Sequence, residues 1–384
     1  MFKLWYGESD EDAKFLAEIS DLKDLSYTIQ EIYPSNTRDF VRNPDLIRDL
    51  LYLDKPDVII TMGEPEKPIF GVEFCAEAGT GHDYFQRVAR IVAAAEFGTP
   101  FAYVFPEKKW VQRRGTEGRW DLYNPLMFRT LVQIGRFHQT PVLGFFWDSD
   151  QEKGQPQEGY LCFDSAFPKM PDRASDEIQA LARFLNLTLA YARENRPFAS
   201  MVFDPFYGTR EAWMWEKYHD RAQGRENWSP LSACSVVKTV DLEKQAQRIA
   251  GMNDLKLPPE LAARPESVVY SNNSRTFRGD PYAGALCAVD YLWCRNGPTV
   301  RHRYRNLVIR FAKAPYAQVV EMYRRYYRTR CPFQEEQVET LRKKEGLRYL
   351  TLHLKDGCRY TKKKELRIIC SVADIVLFKD GVLF

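Results

Sequence analysis

Lys55–Phe74 reads KPDVIITMGEPEKPIFGVEF, two β-rich runs around a turn. Asp57 opens the first run, Asp57 to Met62, and Glu73 stands late in the second, Ile69 to Phe74. Between them, Gly63-Glu64-Pro65-Glu66-Lys67-Pro68 has the composition of a turn. A hairpin folded about Pro65 sets residues whose numbers total about 130 opposite one another, which pairs Asp57 with Glu73. Directly opposed residues share a face, with Cβ atoms ~4.5–5.5 Å apart. Two acids at that spacing repel unless they share a cation, and Mg²⁺ is held by one or two carboxylates plus water and phosphate oxygens. The alternative is an Asp57 that merely opens a strand and a Glu73 turned to solvent, the usual home of charged side chains. Against it stands the apolar run IFGVEFCAEA around Glu73. A strand of that character is buried on both faces, and a carboxylate within it needs a partner.

Working outward, FKLWYG reads as a strand, and Ser9 heads an amphipathic helix with an acidic first turn and Phe15, Leu16 and Ile19 on one face. LSYTIQEIY is a second strand, and Asn43-Pro44 caps a short helix, PDLIRDLLYL, that leads into the hairpin. After the Gly79-Thr80-Gly81 break, HDYFQRVARIVAAAEFG is a helix closed by Gly98, followed by the buried strand FAYVFP. Asn124-Pro125 starts the helix LMFRTLVQIGRFHQ, and VLGFFW is a strand. A hairpin followed by alternating helices and strands implies an α/β fold, a mixed β-sheet flanked by helices. The polar stretch 148–159 marks a boundary, so residues 1–150 form one α/β core. Residues 151–265 read as mainly helical, and 266–384 as a basic α/β region with a strand at Ser267 to Asn272 and a helix opened by Asp280-Pro281.

The chain has 384 residues, 45% of them hydrophobic and 14% aromatic, enough to bury more than one core. No apolar run approaches the ~20 residues of a membrane-spanning helix. The N-terminus turns acidic at once and lacks a signal-peptide core. Eight cysteines are scattered without a CxxC or a Cys/His cluster, which argues against a zinc site or a disulfide framework and fits a reducing cytoplasm. The net charge of +3 conceals an asymmetry: residues 301–384 carry 20 Lys/Arg against 9 Asp/Glu, and the remainder carries 35 against 43. A basic C-terminal quarter on an acidic body points to an anionic partner.

Pro56-Asp57 on one strand and Glu73 on its hairpin partner, then the helix from His82 and the strand from Phe101, resemble the PD-(D/E)xK nuclease superfamily, which includes many type II restriction endonucleases. The resemblance covers roughly residues 43–147. It implies a restriction endonuclease-like core, Mg²⁺ as cofactor, and hydrolysis of phosphodiester bonds in double-stranded DNA. A DNA-binding protein on an inactive nuclease scaffold, or a repair or RNA nuclease, would share the same core. The family pattern implies Lys two residues after the Glu, where this chain has Cys75. Gln86 resembles the helix glutamine of some members and becomes a catalytic candidate beside Asp57 and Glu73. Glu77, in period-2 register with Glu73, is a candidate third metal ligand. Arg87 is a candidate phosphate contact, because guanidinium matches phosphate geometry bidentately.

In the second half, SNNSRTFRGDPYAG gathers Asn272, Asn273, Arg275 and Arg278 ahead of a helix N-terminus, a natural phosphate site. RHRYRNLVIRF supplies Arg301, Arg303 and Arg305, and EMYRRYYRTR supplies Arg324 and Arg325, all candidates for nucleic-acid contact with tyrosines interleaved. Asp290, inside an apolar helical stretch, reads as a buried pairing residue. Cleaving both strands of a duplex calls for a homodimer or for sequential nicking.

Overall fold

The computed structural model describes residues 1–34, 38–76, 85–111, 117–149, 161–222, 233–276, 280–327, 349–350 and 363–384. The chain divides into two compact units, Met1–Glu226 and Asn227–Phe384.

The first unit runs β1 (Phe2–Tyr6), α1 (Asp10–Glu18), β2 (Tyr27–Glu31), α2 (Asp45–Leu50), β3 (Val58–Met62), β4 (Lys67–Phe74), α3 (Val88–Glu96), β5 (Phe101–Pro106), β6 (Lys108–Val111), β7 (Arg119–Leu122), α4 (Leu126–His138), β8 (Val142–Trp147), α5 (Asp176–Arg193) and α6 (Pro205–Ala222). Its six-stranded sheet has the order β2-β1-β3-β4-β5-β8. β3 runs antiparallel to β1 and β4, and the other neighbours are parallel. The sheet is therefore mixed, as the hairpin followed by βα alternation requires. β5 and β8 are buried along their whole lengths, which is why they read as unbroken apolar runs. Ser9 caps α1 by accepting a hydrogen bond from the Glu11 amide. Asn43 does not cap α2; its side chain clasps the Tyr33 backbone through both amide atoms instead.

α5 and α6 belong to this first unit, so its limit lies at 226 rather than 150. The reason is a buried anchor on β8. Arg210 of α6 donates to the Gly144 carbonyl at 2.9 Å and pairs with Glu177 of α5, which accepts a 2.8 Å hydrogen bond from the Phe146 amide. The Arg210 guanidinium also lies 3.6 Å from the Trp213 ring centroid. One buried cation thus ties both helices to the last strand of the sheet.

The second unit comprises β9 (Cys234–Lys238), α7 (Thr239–Ala250), α8 (Pro259–Ala262), β10 (Glu266–Asn272), α9 (Asp280–Val289) continued by a π-turn (Asp290–Cys294), β11 (Arg305–Phe311), α10 (Tyr316–Tyr327), β12 (Tyr349–Leu350), α11 (Lys364–Val372), β13 (Ile375–Leu377) and β14 (Val382–Leu383). Its sheet order is β12-β14-β13-β11-β10-β9. β10, β11 and β13 are mutually parallel at its centre. α7 covers one face, where Leu242, Ala246 and Ala250 pack on Val269, Val308 and Ile375. The segment read as mainly helical, 151–265, is thus divided between the two units.

Candidate functional site

The hairpin holds the register expected of it where the acids lie. Val58 pairs with Val72 and Ile59 with Gly71, so Asp57 and Glu73 are the next opposed pair. A register shift between Ile60 and Thr61 takes up the irregularity nearer the turn, where Gly63 adopts a positive φ of 90° that favours glycine. Asp57 is fixed by its own neighbour strand: its Oδ2 accepts a 2.7 Å hydrogen bond from the Phe74 amide. Glu73 is 1% exposed and Asp57 is buried.

The partner these acids share is a guanidinium. Arg90, in the first turn of α3 and 5% exposed, lies between three carboxylates. Its Nε donates to Asp54 Oδ2 at 2.8 Å, and its Nη1 donates to Glu73 Oε2 and, at 3.4 Å, contacts Asp57 Oδ1. Arg87, one turn earlier and less buried, places Nε 3.2 Å from Glu73 Oε1, an ion pair without hydrogen-bond alignment. Burial opposes the charge on Arg90, but Glu73, Asp54 and Asp57 outweigh it and raise its pKa well above the ordinary value. Burial and then the Glu73 charge push the Asp57 carboxyl well above the usual carboxylate range. At Cys75, burial and then Glu73 raise the thiol, so the side chain carries no charge at neutral pH.

A fourth acid faces the same field. Asp12, in the first turn of α1, is pushed up to about 7, first by burial and then by Glu73, Glu11 and Glu8. If Asp12, Asp54, Asp57 and Glu73 were all ionised, four negative charges would face the two positive charges of Arg87 and Arg90, a net of −2. Proton uptake at both Asp12 and Asp57 would cancel that excess, and so would a bound divalent cation. The linkage has a definite sign. The folded-state pKa of Asp12 lies above its unfolded value of 3.8, so its contribution to stability is complete below 3.8 and is lost as pH rises to about 7. Asp12→Asn should therefore match the wild type near pH 4 and exceed it at pH 8, by about 1–3 kcal/mol in urea unfolding. Equal stability at pH 8 would rule out this placement of the charge.

No protein-family model, curated protein or solved structure matches this chain. Its chemistry is read from the site alone.

Among the described residues, no group of three or more His, Cys, Asp or Glu side chains is arranged to hold a metal ion. Mg²⁺ needs fewer, taking one or two carboxylates with water and phosphate oxygens. Asp57 and Glu73 match that requirement in number and kind, and both face a single nitrogen of Arg90. Both are hard oxygen donors, and with all four acids ionised the cluster would carry excess negative charge. By donor chemistry Asp57 and Glu73 are the side chains that would hold Mg²⁺, and Arg90, which now bridges them, would have to give way.

The other expected site residues fall out as follows. Gln86 is half-buried in the turn that leads into α3, next to Arg87. α3 spans Val88–Glu96, shorter than the helix expected from His82. Glu77 and Arg278 lie outside the described residues. Arg275 and Arg301 are exposed, while Arg324 and Arg325 fall within α10 but their side chains lie outside the described set.

Arg303 is a correction. It is fully buried, donates to Asp290 through Nε and Nη2 and to Asp374 through Nη1, and reaches no solvent with which to meet a nucleic acid. Arg305 is half-buried and paired with Glu266 at 2.8 Å. Asp290 is the buried pairing residue expected, held by Arg303 and by Arg295 at 2.6 Å.

Asp12, Asp54 and Arg90 are the residues that sequence reasoning missed as members of the site. Arg90 alone left a signal, a charge four residues from Gln86 on an otherwise alanine-rich and apolar helix.

Proposed function

We propose that the chain is a metal-dependent nuclease that hydrolyses phosphodiester bonds in double-stranded DNA, of the restriction endonuclease kind. The reading rests on one observation: the buried carboxylates of Asp57 and Glu73 converge on one nitrogen of the Arg90 guanidinium. The hairpin, α3 and β5 follow one another in the order that the resemblance to PD-(D/E)xK nucleases calls for. Asp57 and Glu73 would hold Mg²⁺, which when bound acidifies a coordinated water and neutralises charge at the scissile phosphate. Arg87, more exposed than Arg90 and paired with Glu73, is the candidate to meet a phosphate oxygen. Gln86, beside it, is the candidate to orient the attacking water. To hold a cation, Asp57 would have to be ionised and Arg90 would have to yield its contact with Glu73.

Incubating the chain with long unmethylated duplex DNA and Mg²⁺ tests this directly. Cleavage is expected, with discrete bands if it is sequence-specific, and Asp57→Ala and Glu73→Ala should each abolish it.

One observation favours a second reading, a DNA-binding protein on a non-catalytic scaffold. Arg90 Nη1 already bridges the two carboxylates, and neutral Cys75 stands where the family pattern implies a lysine. Salt-sensitive DNA binding with no cleavage at any Mg²⁺ concentration would decide for it. An absence of binding altogether would leave an α/β protein of unrelated role.

A further inference from the structure

We infer that the second unit binds a phosphoryl group at the carboxyl end of β10, on the Asn272 amide beneath the first turn of α9. The inference does not depend on the acid pocket and stands whether or not that pocket is catalytic.

Alternate residues of a strand share a face, so Val268, Tyr270 and Asn272 point the same way. That face is the one under α9, because the Tyr270 ring centroid lies 6.4 Å from that of Tyr282, in the first turn of the helix. Asn272 is one step nearer the carboxyl end of the strand on the same face. Its side chain is 2% exposed and half-satisfied. Oδ1 accepts a 2.7 Å hydrogen bond from the Ser274 amide, whereas Nδ2 is buried with no hydrogen-bond partner. Buried amide donors nearly always have an acceptor, because leaving one unmade forfeits its hydration without return. A ligand oxygen is the missing acceptor.

The surroundings say what kind of oxygen. A helix N-terminus presents unsatisfied N–H groups and partial positive charge, which favours anions. α9 spans 10 residues and is extended by the π-turn, long enough for this effect. Arg275 follows Asn272 by three residues and is exposed. Lys313 is also exposed and leaves β11 directly beside Asn272, since the Ala312 amide donates to the Asn272 carbonyl at 3.1 Å. The neighbouring helix start is already satisfied, because the Tyr316 amide of α10 donates to Asp380 Oδ1 at 2.7 Å. The α9 end thus combines a helix terminus, a buried donor without an acceptor and two rim cations. It lies at the carboxyl ends of the parallel strands β10 and β11, where α/β sheets place their ligands. An oxygen-rich anion suits the Asn272 donor and both cations together; a cation or an apolar ligand does not.

Inorganic phosphate, a nucleotide and the DNA backbone all offer this chemistry, and a titration of the full chain separates them. Isothermal titration with inorganic phosphate, with a nucleoside triphosphate in EDTA, and with a short duplex is run at constant ionic strength. Wild type should bind at least one, with roughly tenfold weaker affinity in Asn272→Leu, the order expected for one hydrogen bond to a charged group. Binding of phosphate or triphosphate assigns a small-molecule site; binding of the duplex alone, with the same dependence on Asn272, assigns a backbone contact. Should Asn272→Leu fail to fold by circular dichroism, Lys313→Glu and Arg275→Glu carry the test, since both side chains are exposed. Affinities unchanged by all three substitutions, or no binding of any of the three ligands, would overturn the inference.

Discussion

Arg90→Leu should lower the unfolding free energy of residues 1–226 by about 3–5 kcal/mol at neutral pH, the usual cost of removing one member of a buried ion cluster. Among the described residues Arg90 pairs with Asp54, Asp57 and Glu73 together, and each of those acids is buried. Without it, the carboxylates can avoid an uncompensated charge only by holding protons. Their folded pKa values would then exceed the unfolded ones, so stability would be present in acid and lost as pH rises. The deficit relative to wild type should be smallest near pH ~4 and largest above neutrality. Tryptophan fluorescence in a denaturant titration reports it, since six of the eight tryptophans lie between residues 1 and 226. If the pocket takes a divalent cation, Mg²⁺ should restore part of the loss in Arg90→Leu and none in Arg90→Leu combined with Glu73→Gln. A deficit independent of both pH and Mg²⁺ would mean that Arg90 matters for packing alone.

That experiment touches the part of the site the sequence could not show. The opposition of Asp57 and Glu73 was legible because hairpin register follows from turn position, and the irregularity between Ile60 and Thr61 falls on the turn side of the acids. The apolar setting of Glu73 likewise announced that the carboxylate needs a partner. Which partner was not legible. Arg90 meets the acids through the tertiary placement of α3, and Asp54 lies in irregular chain between α2 and β3, where no periodicity sets a face. Asp12 comes from a helix about 60 residues away in sequence and meets Glu73 only through the sheet order β1-β3-β4. The mixed sheet itself was readable from the hairpin and the βα alternation. The extent of the first unit was not, because the polar stretch after β8 looks like a boundary while the Arg210 anchor that carries the chain back is a tertiary contact.

The same limit explains the arginines of the C-terminal quarter. Charge counts do not distinguish a buried arginine from an exposed one, and Arg301 and Arg303, two residues apart, have opposite fates. Arg303 closes a network in which Asp290 also binds Arg295, and Asp374 binds Arg264 at 2.9 Å and the Leu307 amide at 2.9 Å. Arg303 further donates to the Val372 carbonyl at 2.8 Å, so it joins the π-turn after α9 to the end of α11 and the start of β13. Arg303→Leu should therefore cost the second unit about 3–5 kcal/mol, because Asp290 and Asp374 would each keep a charge deep in the protein with half its compensation gone. Arg301→Ala, at an exposed position with no such partners shown, should stay within about 0.5 kcal/mol of wild type. Under the DNA-binding proposal the ranking reverses in a different measurement. Arg301→Ala should weaken duplex binding and reduce its salt dependence, while a folded Arg303→Leu should bind with the wild-type salt slope. An Arg303→Leu protein of wild-type stability would show that the network is not what joins these elements, and a lowered salt slope in that variant would return Arg303 to the nucleic-acid surface.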